Sequence, residues 1–149
     1  MIAIFDADGT LMLNQHRQHF LEEKPPNWKK FNATCGYDAP NIPIINLWHT
    51  LHHWERFILS GRSEDMKFDT IDWLGRHDIE DWDGLYMRRK GDSRDDTIVK
   101  KELFLELKRD NLEITFKNED FIIFDDRQKV VDMWREMGLT CCQVAKGDF

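Results

Sequence analysis

The sequence predicts an α/β fold: a single Rossmann-like domain with a parallel sheet of about five strands, helices on both faces and no large cap domain. Three observations carry that expectation. Short apolar runs alternate with longer stretches of helical period. Two of the apolar runs end on pairs of acids, Asp6 with Asp8 and Asp125 with Asp126. No repeat, low-complexity segment or linker interrupts the chain, so residues 1–149 are expected to form one domain.

Residues 2–5, Ile-Ala-Ile-Phe, are apolar on both faces, as a strand buried in a parallel sheet must be. Residues 14–40 are polar and hold Pro25, Pro26, Gly36 and Pro40, which predicts a long excursion with little regular structure. Within residues 42–54, Ile42, Ile45, Leu47, Trp48, Leu51 and Trp54 recur at roughly helical spacing. Residues 56–60 predict a second buried strand and residues 64–77 a helix. A third strand is expected over 84–88, followed by an amphipathic helix over 95–109. Residues 121–124, Phe-Ile-Ile-Phe, form another buried strand. A helix over 127–137 closes on Gly138, and the last strand spans 139–144.

Composition narrows the class. Hydrophobic residues are 41% and charged residues 33%, as in an ordinary soluble globular protein. No apolar run approaches the roughly 20 residues that span a bilayer, and with the first strand expected from Ile2 no signal peptide is expected. The net charge of −7 argues against a protein that coats nucleic acid along its length, but not against one that handles a single terminal nucleotide. Cys35, Cys141 and Cys142 lack metal-ligand spacing and read as reduced thiols, which suits a cytoplasmic protein. Trp28 and Trp48 read as core rather than as base-stacking side chains.

The chemistry lies at the strand ends. In an open parallel sheet, ligands bind beyond the carboxyl ends of the strands, so Asp6-Ala7-Asp8-Gly9-Thr10 and Asp125-Asp126 should meet at one edge. Four carboxylates there (Asp6, Asp8, Asp125 and Asp126) repel one another and call for a cation, and oxygen ligation suits magnesium. Ser60 ends the second strand, Gly61 and Arg62 follow it, Arg88 ends the third, and Lys100 rides the next helix. Together they supply a nucleophile, a metal site, a phosphate clamp and a second acid. Taken singly, Asp125 or Asp126 reads as a helix cap and Lys100 as a solvated helix residue. The ordered combination is what points to phosphoryl transfer.

That order, Asp-x-Asp-Gly-Thr, Ser-Gly-Arg, Lys, Asp-Asp, resembles the haloacid dehalogenase-like phosphatases. The segments Gly91 to Asp96, Lys100 to Glu102, Asp125 to Arg127, Val130 to Arg135 and Gln143 to Phe149 further resemble the phosphatase half of phage polynucleotide kinase-phosphatases. The likeness is weakest over residues 18–55. It implies removal of a 3′-phosphate from DNA or RNA ends, and opening of 2′,3′-cyclic phosphates. It also implies that Asp6, Asp8, Arg17, Arg62, Arg88, Asp96, Lys100, Asp125 and Asp126 carry activity, all nine positions matching in residue type.

By chemistry and by resemblance Asp6 is the expected nucleophile, and Asp8 the acid that protonates the leaving alkoxide and then the base for water. Arg17 and Arg88 would grip phosphate, and Asp96, four residues before Lys100, would orient its ammonium. A Gly-x-x-x-x-Gly-Lys-Ser/Thr loop is absent from these 149 residues, so 5′-kinase activity is not expected of them. A separate kinase or ligase chain is then an expected partner, no membrane is, and the location is cytoplasmic (host cytoplasm if the chain is phage-encoded).

Two other classes compete. A nucleotidase or other small-molecule phosphatase usually carries a larger cap than the residues between the first two motifs allow. A phospho-receiver or catalytically dead end-binding domain is the non-enzymatic alternative. In receivers, however, the acid pair follows the first strand and the phosphorylated Asp a middle one, whereas here the pair comes late.

Overall fold

Residues 1–111 and 116–147 are described by a computed structural model. Five strands make the main sheet: β1 (Ile2–Phe5), β4 (Glu55–Ser63), β5 (Gly84–Arg88), β6 (Phe121–Arg127) and β7 (Thr140–Gly147). Their order is β5-β4-β1-β6-β7, and every neighbouring pair runs parallel. The β1 strand is central, with Phe5 level with Ile58 of β4 and Phe124 of β6. The carboxyl ends of three strands therefore come together where Asp6 begins.

Alternation along β1 divides the core. Ile2 and Ile4 face α4 (Asp96–Asp110) and α5 (Gln128–Glu136), where Val99, Leu103, Phe104, Leu107, Val130, Val131 and Trp134 are buried. Ala3 and Phe5 face α2 (Ile42–Thr50) and α3 (Lys67–Arg76), where Ile45, Trp48, Trp73 and Leu74 are buried. A strand with helices on both sides has no polar face, which is why 2–5 reads as unbroken apolar sequence. Gly138 ends α5 at φ +79, the left-handed cap that glycine adopts without steric cost. Cys141 is buried and Cys142 exposed, on opposite faces of β7.

Three expectations are corrected. The excursion over 14–40 is structured: a two-stranded antiparallel pair, β2 (Met12–Leu13) with β3 (Ala39–Pro40), closes its base. Within it lie 3-10 turns at Gln15–Leu21 and Cys35–Tyr37 and the short helix α1 (Trp28–Ala33). Its polar sequence hid these because turns this short show no periodicity. Second, β4 and β6 run past the predicted ends, so Arg62, Asp125 and Asp126 lie within strands. Third, Trp28 is not core: it is 57% exposed, whereas Trp48 is fully buried as expected. Of the terminal motif Gln143 to Phe149, residues 148 and 149 lie outside the described residues.

Candidate active site

Asp6 stands at the end of β1, with its backbone N–H donating to the Phe124 carbonyl at 2.9 Å. That bond ties the first acid to the strand carrying Asp125 and Asp126. The Lys100 ammonium, delivered by α4, sits 2.8 Å from Asp6 Oδ1 and 2.7 Å from Asp125 Oδ2. Its third carboxylate neighbour is Asp96 Oδ2 at 3.8 Å, one turn earlier on the same helix. Asp125 is also fixed by the Trp134 indole N–H, which donates to Oδ2 at 3.4 Å, and by the Arg127 backbone N–H, which donates to Oδ1 at 3.2 Å. Lys100 is thus buried and ion-paired, not a solvated helix residue.

Asp6, Asp125 and Asp126 are all buried, and each offers an oxygen within 4.8 Å of the others. Burial raises the Asp6 carboxyl well above its usual range, opposed by Lys100 and reinforced by Asp125 and Asp126. Burial and the adjacent Asp125 push Asp126 up to about 6. The Lys100 ammonium is disfavoured by burial, but Asp125, Asp6 and Asp96 outweigh this and hold it charged. Of these three crowded carboxylates, Asp6 and Asp125 pair directly with Lys100.

Gly9 makes this crowding possible. It has φ +84, and a Cβ there would lie 2.2 Å from Asp126 Oδ2, so a side chain would displace the carboxylate. Gly61 plays the same part on β4, where a Cβ would meet Asp96 Oδ1 at 1.8 Å.

Asp8 belongs to a second cluster. Its Oδ1 accepts from Arg17 Nη2 and from Arg62 Nη2 at 2.6 Å, and its Oδ2 accepts from Arg62 Nε at 3.2 Å. Burial alone would raise the Asp8 carboxyl, but Arg62 and Arg17 overcome it and hold the group at about 2. Behind the two arginines lies Asp38, whose Oδ1 and Oδ2 accept from Arg17 Nε and Nη2, both at 2.7 Å. Asp38 Oδ2 also accepts from Arg62 Nη2 at 3.2 Å, and Oδ1 pairs with the His16 ring at 2.8 Å. Arg62 donates further to Thr70 Oγ1 at 3.0 Å, and Arg17 to the Phe31 carbonyl at 3.2 Å while its guanidinium rests 4.1 Å from the Phe31 ring centre.

The remaining expected residues brace the edge. Ser60 Oγ accepts from the Arg62 backbone N–H at 3.1 Å and is fully buried. Arg88 donates to the Gly61 carbonyl at 2.6 Å, to the Asp92 and Arg94 carbonyls, and to Asp96 Oδ1 at 3.2 Å. It ties β4 to the loop that leads into α4, at the position where the sequence suggested a phosphate grip. All the expected residues thus gather at one edge, in two groups. Asp8, counted among the candidate metal ligands, stands with the arginines, outside the cluster of Asp6, Asp125 and Asp126. Asp38, His16 and Thr70 were not singled out from the sequence: Asp38 sits in a polar excursion, with no apolar strand before it to flag it.

The family model described as "Polynucleotide kinase PNKP phosphatase domain" matches residues 1–149. A putative bifunctional polynucleotide kinase/RNA ligase of Autographa californica nuclear polyhedrosis virus is 28% identical over 136 residues, covering 89% of this chain and 17% of that protein. A chain in the structure of a Pnkp1/Rnl/Hen1 complex superposes with a TM-score of 0.77 at 35% identity, over 99% of this chain and 47% of that one. This chain therefore spans less than half the length of these relatives. A haloacid dehalogenase-like family protein from Streptococcus pneumoniae (TM-score 0.70, 16% identity, 95% and 83% of the two chains) shares the fold. So does the L-2-haloacid dehalogenase from Xanthobacter autotrophicus (TM-score 0.67, 12% identity, 96% and 76%).

Proposed function

Because the chain belongs to the family of polynucleotide kinase phosphatase domains, with a haloacid dehalogenase-like fold, we propose that it removes the 3′-phosphate from DNA or RNA ends through an aspartyl-phosphate on Asp6. The observation that carries this reading is the pairing of two unlike acids across one strand end. Asp6 faces Lys100 and two further carboxylates, and Asp8 faces only arginines.

In this mechanism an Asp6 oxygen forms the new bond to phosphorus while the bond from phosphorus to the sugar oxygen breaks. The departing alkoxide is strongly basic and takes a proton from Asp8. Water then attacks the aspartyl-phosphate, giving its proton to Asp8, and inorganic phosphate leaves with Asp6 restored. Before substrate arrives both Asp8 oxygens accept from guanidinium groups, so Asp8 must be released to carry a proton. An incoming phosphate offers Arg17 and Arg62 replacement oxygens, with Asp38 anchoring both arginines through the exchange.

Asp6, Asp125 and Asp126 fit magnesium. Their oxygens are clustered and buried, and their charge exceeds what Lys100 neutralises. Bound by them, magnesium would offset the negative charge of the carboxylates and the substrate phosphate. The similarity to a longer protein named as a putative polynucleotide kinase/RNA ligase, and to a chain of a Pnkp1/Rnl/Hen1 complex, supports a kinase or ligase working with this domain. Among the described residues no helix is long and apolar enough to cross a membrane.

An end-group panel tests the reading. DNA and RNA oligonucleotides bearing 3′-phosphate, 5′-phosphate or 2′,3′-cyclic phosphate, together with mononucleotides, are offered with magnesium. Turnover of the 3′-phosphate and cyclic ends is expected, with 5′-phosphates left intact. A preference for mononucleotides over every oligonucleotide would refute it.

A further inference from the structure

Three partners of the active-site arginines, Phe31, Asp38 and Thr70, lie within three residues of an exposed aromatic side chain. Arg17 rests on Phe31, and the Phe31 ring meets that of Trp28 edge-on at 5.7 Å. Both arginines bond Asp38, whose chain neighbour is Tyr37, 82% exposed. Arg62 bonds Thr70, two residues beyond Phe68, 84% exposed. Trp28, Tyr37 and Phe68 are the exposed aromatic side chains among the large exposed hydrophobics of the described residues. The 3-10 turn bearing Tyr37 packs against both α1 and α3, which carry the other two. Leaving three large rings in water on adjoining elements costs apolar burial, and in a protein of this size such a patch marks a binding surface.

Charge indicates what binds there. Exposed Lys24, Lys29 and Lys30 flank Trp28; among the described residues none is ion-paired, and the Lys30 ammonium lies 5.9 Å over the Phe20 ring centre. Exposed Arg89, Arg94 and Lys129, by contrast, are paired with Glu106, Glu102 and Asp95. Exposed Glu22 and Glu23 precede this segment, and Glu23 accepts from the Asn27 amide at 3.0 Å. An open concavity of about 500 Å³ is lined by Glu23, Lys24, Pro25, Pro26, Trp28 and Lys29. Flat rings beside unpaired cations, continuous with a phosphate-handling site, are the chemistry of a single-stranded nucleic-acid platform, where bases stack and phosphates meet lysines.

We propose that Trp28, Tyr37 and Phe68 form a stacking rim for the bases upstream of the terminal nucleotide, with Lys24, Lys29 and Lys30 meeting the intervening phosphates. The inference rests on the 3′-phosphatase reading and adds the substrate's shape to it: an unpaired strand several nucleotides long rather than a lone nucleotide. Duplex ends would have to fray before docking, because stacked and paired bases cannot lie on the rings.

Steady-state kinetics with the full chain test it, comparing a 3′-phosphorylated single-stranded hexamer with a 3′-mononucleotide and p-nitrophenyl phosphate. Trp28→Ala, Tyr37→Ala and Phe68→Ala should each raise KM for the hexamer by about 5- to 100-fold, the range expected for loss of one base–aromatic stack. The smaller substrates should keep their KM, Trp28→Tyr should restore most of the hexamer affinity, and Leu105→Ala, exposed on α4, should change nothing. The rings are exposed, so folding is not at stake, and circular dichroism checks this. If the wild-type protein hydrolyses the hexamer and the triple variant does so with unchanged KM, the rim is overturned while the 3′-phosphatase reading stands, and the rings then fall to a protein partner. Equal losses on all three substrates would also overturn it, since they would place the effect on the phosphate site. If the wild-type protein hydrolyses no 3′-phosphorylated oligonucleotide, the underlying reading fails and takes the rim with it.

Discussion

Replacing Asp126 with Asn should stabilise the metal-free protein at neutral pH and destabilise the magnesium-bound one. Asp126 is buried beside Asp125, and its carboxyl is raised to about 6 from 3.8. A group whose pKa is raised by folding supports the fold while protonated and opposes it as pH rises through the folded value. In chelator, the penalty should therefore be absent below about pH 4, grow between pH 4 and 6, and level off above. At about 1.4 kcal/mol per pH unit, a span of roughly two units gives at most about 3 kcal/mol. Asn keeps the shape without the charge. The assay is urea denaturation of both proteins from pH 4 to 8, read as the difference between them. Carboxylates remote from Asp126 cancel in that difference. In EDTA the variant should gain up to about 3 kcal/mol over wild type by pH 7.5. In saturating magnesium the order should reverse, because wild type gains binding energy from a ligand that the amide supplies poorly. A difference curve that is flat with pH in EDTA would refute the electrostatic account, and one unmoved by magnesium would refute the metal site.

Three further outcomes follow from the same geometry. Asp8→Asn should lose activity on a 3′-phosphorylated oligonucleotide by up to about 10²–10⁴-fold more than on p-nitrophenyl phosphate in the first-turnover burst, because p-nitrophenolate leaves without a proton; equal losses would remove Asp8 from the acid role. Asp38→Asn leaves Arg17 and Arg62 short of their buried partner and should cost about 3–5 kcal/mol in denaturation experiments, with a fall in kcat/KM; native stability and rate would show that the arginines are held without it. Gly61→Ala drives a methyl group into Asp96 and should lower kcat while leaving the fold intact by circular dichroism, whereas unchanged kcat would mean that Asp96 does not set the position of Lys100.

The strand ends were legible because they are local. An apolar run with no polar face must be a doubly covered strand, and the acid that follows must lie at the sheet's carboxyl edge. Asp6, Asp125 and the Asp96–Lys100 pair could be placed that way, from positions within one element or its immediate end. Gly9 was visible as part of a motif, but its reason, the approach of Asp126, was not.

Sequence by itself therefore determined the α/β class, the edge where chemistry is possible and the acids that begin it. Tertiary structure alone decided how those groups divide. Arg62 lies 54 residues from Asp8, and Asp38 lies 21 from Arg17. Their meeting depends on the path of the excursion between β2 and β3, which no periodicity announces. It also decided that Trp28 faces water and Lys100 does not. Hydrophobicity sets what a side chain prefers, but burial is settled by which neighbours the folded chain brings to it. For Lys100 those were three carboxylates, enough to outweigh the cost of leaving water.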